Sequence, residues 1–214
     1  MLISPCSVSF LISFLIDFQS SGIFTLSQRF AQIIVLFSIG FQFSWQEFVF
    51  ASDYSLDNFI KNKIKSQINQ QFFIMALSLI IMIPGIRFFF VFFPNFLGNN
   101  FDLVINFIPY TFISAVFSIL GNFSATVLIS QNKNNDVFIS TLIGAIVNIS
   151  TTTLLIYFGL GLFSAYIGLI AGFLTTYIKR NLRLKHFFQI NVPFKFIFIL
   201  VIFSIVLINL INLL

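Results

Sequence analysis

Residues 137–158 read VFISTLIGAIVNISTTTLLIYF, a largely apolar run that contains no charged residue. A helix needs about 20 mainly apolar residues to cross a bilayer, so this stretch predicts a membrane-spanning helix. Asn148 and the hydroxyl side chains that follow it fall inside the predicted span. Because hydrocarbon offers polar groups no hydrogen bonds, the sequence raises the question of what this amide contacts.

The whole chain has the same character. Hydrophobic residues make up 58% of the sequence and charged residues only 8%, whereas soluble domains carry about 25% charged residues. A length of 214 residues allows about six or seven spans with short connections. The composition therefore predicts an all-α, polytopic transmembrane helix bundle. Its seven predicted spans are residues 2–18, 23–51, 72–93, 103–130, 137–158, 165–178 and 194–213.

Basic residues are distributed unevenly between the predicted connections. Nine of the eleven Lys and Arg residues lie in the connections that follow the second, fourth and sixth spans. Cytoplasmic loops of membrane proteins carry such an excess, so the pattern predicts a cytoplasmic N-terminus and an external C-terminus. The basic run KRNLRLKH at residues 179–186 is then interpreted as a cytoplasmic loop. The alternatives are a patch for anionic lipid or for nucleic acid, and we predict no nucleic-acid partner.

Polar side chains of the second span lie on one side of a helical wheel, within about 140°. Polar groups inside a membrane usually face a bundle interior or a water-filled cavity. Our hypothesis is that this helix lines an aqueous path. The alternative is that the terminal charged residues reach out to the two membrane interfaces. The candidate cavity-lining residues of this span are Gln28, Arg29, Gln32, Gln42 and Gln46.

Three further polar residues lie within predicted spans. Asn122 in the fourth span shares one side with small and hydroxyl residues. In the fifth span one side of the predicted helix carries a row of small and polar residues: Ser140, Gly144, Asn148 and Thr151. Small residues let helices approach closely, and amides add interhelical hydrogen bonds, so Asn148 is interpreted first as a packing residue. Arg87 follows Pro84–Gly85 in the third span and would either bind an anionic head group or extend to the interface. All three remain candidates for lining the cavity.

Several chemistries are disfavoured by what the sequence contains. One cysteine excludes an internal disulfide, and no cluster of Cys, His and acidic residues has the spacing of a metal site. A membrane enzyme such as an oligosaccharide polymerase or a lipid glycosyltransferase needs paired carboxylates or a sizeable aqueous loop with catalytic groups. The longest predicted external loop, residues 94–102, contains one acidic residue. We therefore predict that the protein is not an enzyme and uses no cofactor.

Two passages resemble the second half of the bacterial polysaccharide exporters. These proteins are the O-antigen and polysaccharide flippases of the multidrug/oligosaccharidyl-lipid/polysaccharide exporter superfamily. The passage SGIFTLSQRFAQII resembles a family segment that opens with Gly, an aliphatic residue and Tyr, with Phe24 here in place of Tyr. STLIGAIVNISTTTLLIYFGLGLFSAYIGLIAG resembles a pattern of Asn, a long apolar run, Gly-x-x-Gly and Ala. Asn148 and Ala165 match that pattern, and Ser164 replaces the usual second glycine.

The resemblance implies a C-terminal-type transporter lobe of six helices over residues 1–182. Residues 183–214 would then form a basic cytoplasmic loop and one additional transmembrane helix. It further implies that the chain flips a lipid-linked oligosaccharide, an O-antigen or capsule repeat unit, across the bacterial inner membrane for polysaccharide or lipopolysaccharide biosynthesis. Its partners would be that substrate, membrane lipids and a separate N-terminal half. A drug/cation antiporter of the same superfamily and a non-transporting remnant are the alternatives.

Overall fold

The computed structural model describes residues 5–51 and 101–184, together with the isolated residues 66, 70 and 85. All regular structure in these ranges is α-helical, which confirms the prediction of an all-α chain for the described residues. The predicted spans at 72–93 and 194–213 lie outside the described ranges. The helices are α1 (Pro5–Leu15), α2 (Phe18–Ala51), α3 (Phe101–Ser130), α4 (Asn134–Tyr157) and α5 (Phe163–Leu184).

Length and composition make two of these helices suitable for crossing a membrane. They are the segment Asn106–Ser130 of α3 and the whole of α4. The two halves of α2, Phe18–Ile33 and Ser38–Ala51, are bent by 54° and would make a third span if they cross together. At 11 residues, α1 is too short to span hydrocarbon alone. The described part of the chain thus has two such helices, or three with α2.

Burial distinguishes the two spanning helices. In the most apolar 18-residue stretch of α3, 78% is buried inside the bundle, whereas in the corresponding stretch of α4 only 22% is buried. Accordingly, α3 packs against both α2 and α5, while α4 packs chiefly against α5. The exposed surface of α4 is mainly apolar, as expected of a helix that faces lipid. Its exposed members include Phe138, Leu142, Ile146, Ile149 and Leu154.

Two tight turns connect the last three helices. After α3, the amide of Asn132 donates to the Ile129 carbonyl, and the amide of Lys133 donates to the Leu128 carbonyl. After α4, the amides of Gly159 and Leu160 make the equivalent bonds to the last turn of that helix. This Schellman arrangement needs a left-handed residue, which Asn132 (φ 58°) and Gly159 (φ 81°) provide. Asn and Gly tolerate this conformation best, so the sequence determines both helix ends.

The start of α2 is set by Asp17, which follows the end of α1. The Asp17 carboxylate accepts hydrogen bonds from the Ser20 amide and, at 2.9 Å, from the Ser20 hydroxyl. This is an N-cap, in which a side-chain oxygen satisfies an amide that has no partner within the helix. The predicted spans 2–18 and 23–51 are therefore separated by a capped helix start at residue 18.

The basic run after the sixth predicted span is helical rather than part of a loop. That span was expected to end at residue 178, but α5 continues to Leu184. Lys179 and Arg183 lie on its exposed side, whereas Arg180 is buried. The loop interpretation is therefore wrong for residues 179–184. The predicted domain boundary between residues 182 and 183 also falls inside this helix.

Asp17 gives a pH-dependent prediction. The hydrogen bonds from Ser20 lower the pKa of the Asp17 carboxyl below its ordinary value of 3.8. A carboxyl whose pKa is lower in the folded state stabilises the fold at pH values above the pKa of the unfolded state. This stabilisation disappears as the pH falls through the pKa of the folded state. We expect the thermal unfolding midpoint of the wild type to decrease when the pH is lowered below about 4. Asp17→Asn keeps a capping oxygen but cannot titrate, so its midpoint should fall less over that pH range. If the midpoints of the wild type and of Asp17→Asn decreased equally at low pH, the Asp17 N-cap would be contradicted.

Candidate functional site

Helices α4 and α5 pack closely against each other through two rows of small residues. The buried residues of α4 recur every four positions, at Ser140, Gly144, Asn148 and Thr152. The facing row on α5 has the same spacing and consists of Ser164, Gly168, Gly172 and Thr176. Residues four apart lie on one face of a helix, and small side chains allow two backbones to approach closely.

Asn148 lies at the centre of this interface and is 1% exposed. Its Oδ1 accepts a hydrogen bond of 3.4 Å from the Thr152 hydroxyl one turn later. A Cβ atom placed on Gly172 would be only 2.8 Å from the Asn148 Cβ and from the Gly144 carbonyl oxygen. Asn148 therefore occupies space that the missing side chain of Gly172 leaves open. This contact favours the packing interpretation of Asn148.

A second buried contact joins α2 to α5 through an aromatic cluster around Tyr166. The Tyr166 and Ser27 hydroxyl oxygens are 2.7 Å apart, and Ser27 donates its own proton to the Phe24 carbonyl. Tyr166 is therefore the donor to Ser27. The Tyr166 ring stacks on Phe107 of α3 at 4.6 Å between centroids and touches Phe24 at 5.3 Å. One side chain thus connects three helices.

Three side chains carry buried polar atoms that lack hydrogen-bond partners in the described ranges: Gln28 of α2, Gln131 in the turn after α3, and Ser164 of α5. Gln28 follows Ser27 on α2, whereas Ser164 belongs to the row of α5 that faces α4 and lies about 200° around that helix from Tyr166. The Gln28 Nε2 and the Ser164 Oγ are buried and make no hydrogen bond within the described part of the chain. Leaving a buried donor unpaired costs about 1–3 kcal/mol, so such groups commonly bind water or a ligand.

The structure distributes the predicted cavity residues over different environments. Gln28 and Asn148 are buried, Gln42 and Gln46 are half-buried, and Arg29, Gln32 and Asn122 are exposed. Arg87 lies outside the described residues. Among the α2 candidates, Gln28 is the one directed into the helix bundle. Asn148 has its described contacts across the α4–α5 interface.

The polar side of α2 is divided for two geometric reasons. A helical wheel assumes a straight axis, but the two halves of α2 are bent by 54°, so Gln28 and Gln46 cannot share one straight stripe. Within the first half, Arg29 is one position, or about 100°, from Gln28 and lies on the exposed surface. The single face predicted for α2 is therefore two faces.

Some residues that build the site gave weak signals in the sequence. Tyr166 lies within a passage of the family resemblance but has no predicted role, and the sequence predicts a loop at Arg180. The four-residue spacing from Ser164 to Arg180 was the available signal, because it continues one helix face beyond the predicted end of the span. Gly168 and Gly172 belong to the same row and could have been found in the same way.

No group of three or more His, Cys, Asp or Glu residues that could hold a metal ion occurs in the described ranges. Comparison of the chain with protein-family models, with curated proteins and with solved structures finds no match. What residues 5–51 and 101–184 define is a class: they are all-helical and contain two or three helices that can span a membrane.

Proposed function

We propose that this chain is a multi-pass protein of the bacterial inner membrane that takes part in transporting a lipid-linked oligosaccharide. The observation that carries the proposal is that Gln28 Nε2 of α2 and Ser164 Oγ of α5 are buried without hydrogen-bond partners in the described ranges. They lie in helices that flank the central span α3. Buried groups that still lack hydrogen-bond partners could bind a polar substrate as it crosses an otherwise apolar helix bundle.

In the proposed mechanism the lipid tail and the sugar unit of the substrate occupy different environments. The lipid tail stays in the bilayer beside the apolar face of α4, where Ile146 and Leu154 are exposed. The sugar unit passes between helices, where the Gln28 amide and the Ser164 hydroxyl exchange hydrogen bonds with its hydroxyl groups. Arg29, which is exposed on the same turn of α2, supplies a positive charge for the pyrophosphate. A second lobe would complete the path, because alternating access requires two bodies that move about one site.

Gln28→Leu is the variant that tests this function. The gene is deleted in its native bacterium, and surface polysaccharide is measured after complementation with the wild type or a variant. We expect Gln28→Leu to reduce surface glycan by about threefold to twentyfold, since a hydrogen bond in a membrane contributes about 0.6–1.7 kcal/mol. The matched control is Gln19→Leu, because Gln19 lies on the same helix with an exposed side chain.

The same experiment separates the alternatives. An antiporter would leave surface glycan unchanged on deletion and would change resistance to cationic drugs. A non-transporting remnant would change neither property. Normal glycan in the deletion strain would contradict the proposal, as would equal glycan in the Gln28→Leu and Gln19→Leu strains with the proteins at equal membrane abundance.

A further inference from the structure

Arg180 connects three helices from a buried position near the end of α5, where it is 6% exposed. Its Nη1 donates to the Gly121 carbonyl of α3 at 2.8 Å. Its Nε donates to the Ser140 hydroxyl of α4 at 2.9 Å, and its Nη2 donates to the Thr141 hydroxyl at 2.7 Å. Three directed bonds from one planar group hold these helices in a defined relative position.

All three acceptors of Arg180 are electrically neutral. The nearby carboxylate, Asp136 in the first turn of α4, instead approaches Arg183 at 3.6 Å on the exposed side of α5. Separating a buried ion pair leaves two uncompensated charges, whereas withdrawing a cation from neutral dipoles leaves no buried charge behind. The contact made by Arg180 can therefore open at a lower cost than a buried salt bridge.

The hydroxyl acceptors also remain satisfied when Arg180 leaves. Ser140 Oγ and Thr141 Oγ1 each donate to the Val137 carbonyl at 2.8 Å, so neither proton depends on the guanidinium. An opened contact consequently leaves no orphaned hydroxyl donor on α4. Arg180 therefore differs from a permanent structural contact, in which the partner groups would lose their only hydrogen bonds on opening.

We propose that Arg180 is a reversible latch that holds α3, α4 and α5 together and opens by swinging out of the bundle. The exposed neighbours Lys179 and Arg183 mark the surface that the released guanidinium would reach. Arg180 is within the last two turns of α5, and a long Arg side chain can extend its head group to an interface. The latch is independent of the transport proposal.

The latch is tested by the rate at which p-hydroxyphenylglyoxal modifies each arginine of the detergent-solubilised full chain. Peptide mass spectrometry follows Arg180 and, as the internal reference, Arg183, whose side chain is 68% exposed. We expect Arg180 to react at least about tenfold more slowly, because a minor open state is populated at about 0.1–10%. Equal rates would show that no latch exists. No reaction at Arg180, when Arg183 is fully modified, would show a permanent structural contact.

A pair of double variants tests the acceptors. Ser140→Ala/Thr141→Val removes the two hydroxyls on α4, and we expect the Arg180 rate to rise to within about threefold of the Arg183 rate. The matched control is Ser150→Ala/Thr151→Val, which makes the same changes on α4 away from Arg180. An unchanged Arg180 rate in the first variant would overturn the proposal. If the first variant does not fold, the comparison of Arg180 with Arg183 in the wild type still decides.

Discussion

Replacing Tyr166 with alanine is expected to lower the free energy of unfolding by about 3–5 kcal/mol, the cost of truncating a buried aromatic side chain. Tyr166 is 1% exposed and packs against Phe107 and Phe24. Truncation removes both ring contacts and the hydrogen bond to Ser27. The measurement is unfolding of the purified protein by titrating SDS into mixed micelles, monitored by far-UV circular dichroism.

Two further variants identify the origin of that loss. Tyr166→Phe keeps the ring and removes the hydroxyl, and Ser27 still donates to the Phe24 carbonyl. We therefore expect a cost of only about 1 kcal/mol for this variant. Tyr157→Ala is the matched control, because Tyr157 is 88% exposed on α4. A loss as large for Tyr157→Ala as for Tyr166→Ala would contradict the packing around Tyr166.

The second large effect is expected for Gly172→Ala, at about 1–3 kcal/mol of destabilisation. The added Cβ would lie 2.8 Å from the Gly144 carbonyl oxygen, a backbone atom that moves only if α4 and α5 separate. Alanine favours a helix over glycine by about 1 kcal/mol, so the clash has to exceed that gain. The same SDS titration measures the loss in the free energy of unfolding. We attribute that loss to the separation of α4 from α5 that the added methyl group forces.

Gly22→Ala is the control for this prediction. Gly22 is also helical, but no heavy atom lies within 4 Å of its added Cβ, so the substitution should be neutral or stabilising. Gly168→Ala should also destabilise, since its Cβ would overlap the Thr152 hydroxyl and lie 3.0 Å from the Asn148 carbonyl oxygen. Stabilisation by Gly172→Ala comparable to that by Gly22→Ala would show that α4 and α5 are not in close contact.

Helical structure and the packing face of α4 could be predicted from sequence because both depend on local periodicity. The sequence placed Ser140, Gly144 and Asn148 on one face, and the structure buries all three. It included Thr151 in that row, whereas the structure buries Thr152. Positions four apart rotate by about 40° per repeat, and only the facing helix decides which of two adjacent residues is covered.

The division of α2 and the burial of Arg180 could not be predicted in this way. A helical wheel contains no information about the bend in α2, which separates Gln28 from Gln46. The predicted arc of about 140° also included both Gln28 and Arg29, although about 100° separates them and one is buried and the other exposed. The sequence predicts a cytoplasmic loop at Arg180 because basic residues concentrate in that connection. Its acceptors lie about 40 and 60 residues away in sequence, and such distant contacts leave no local pattern.

The proposed transport function implies that water or substrate reaches Gln28 and Ser164 inside the helix bundle. Gln28→Cys and Ser164→Cys, each made in a Cys6→Ser chain in native membranes, test this directly with a small, positively charged methanethiosulfonate reagent. Ile146→Cys and Leu154→Cys on the exposed apolar face of α4 are the controls. We predict that both test positions react and that the lipid-facing controls do not. Failure of both Gln28→Cys and Ser164→Cys to react above these controls would contradict a polar path through the bundle.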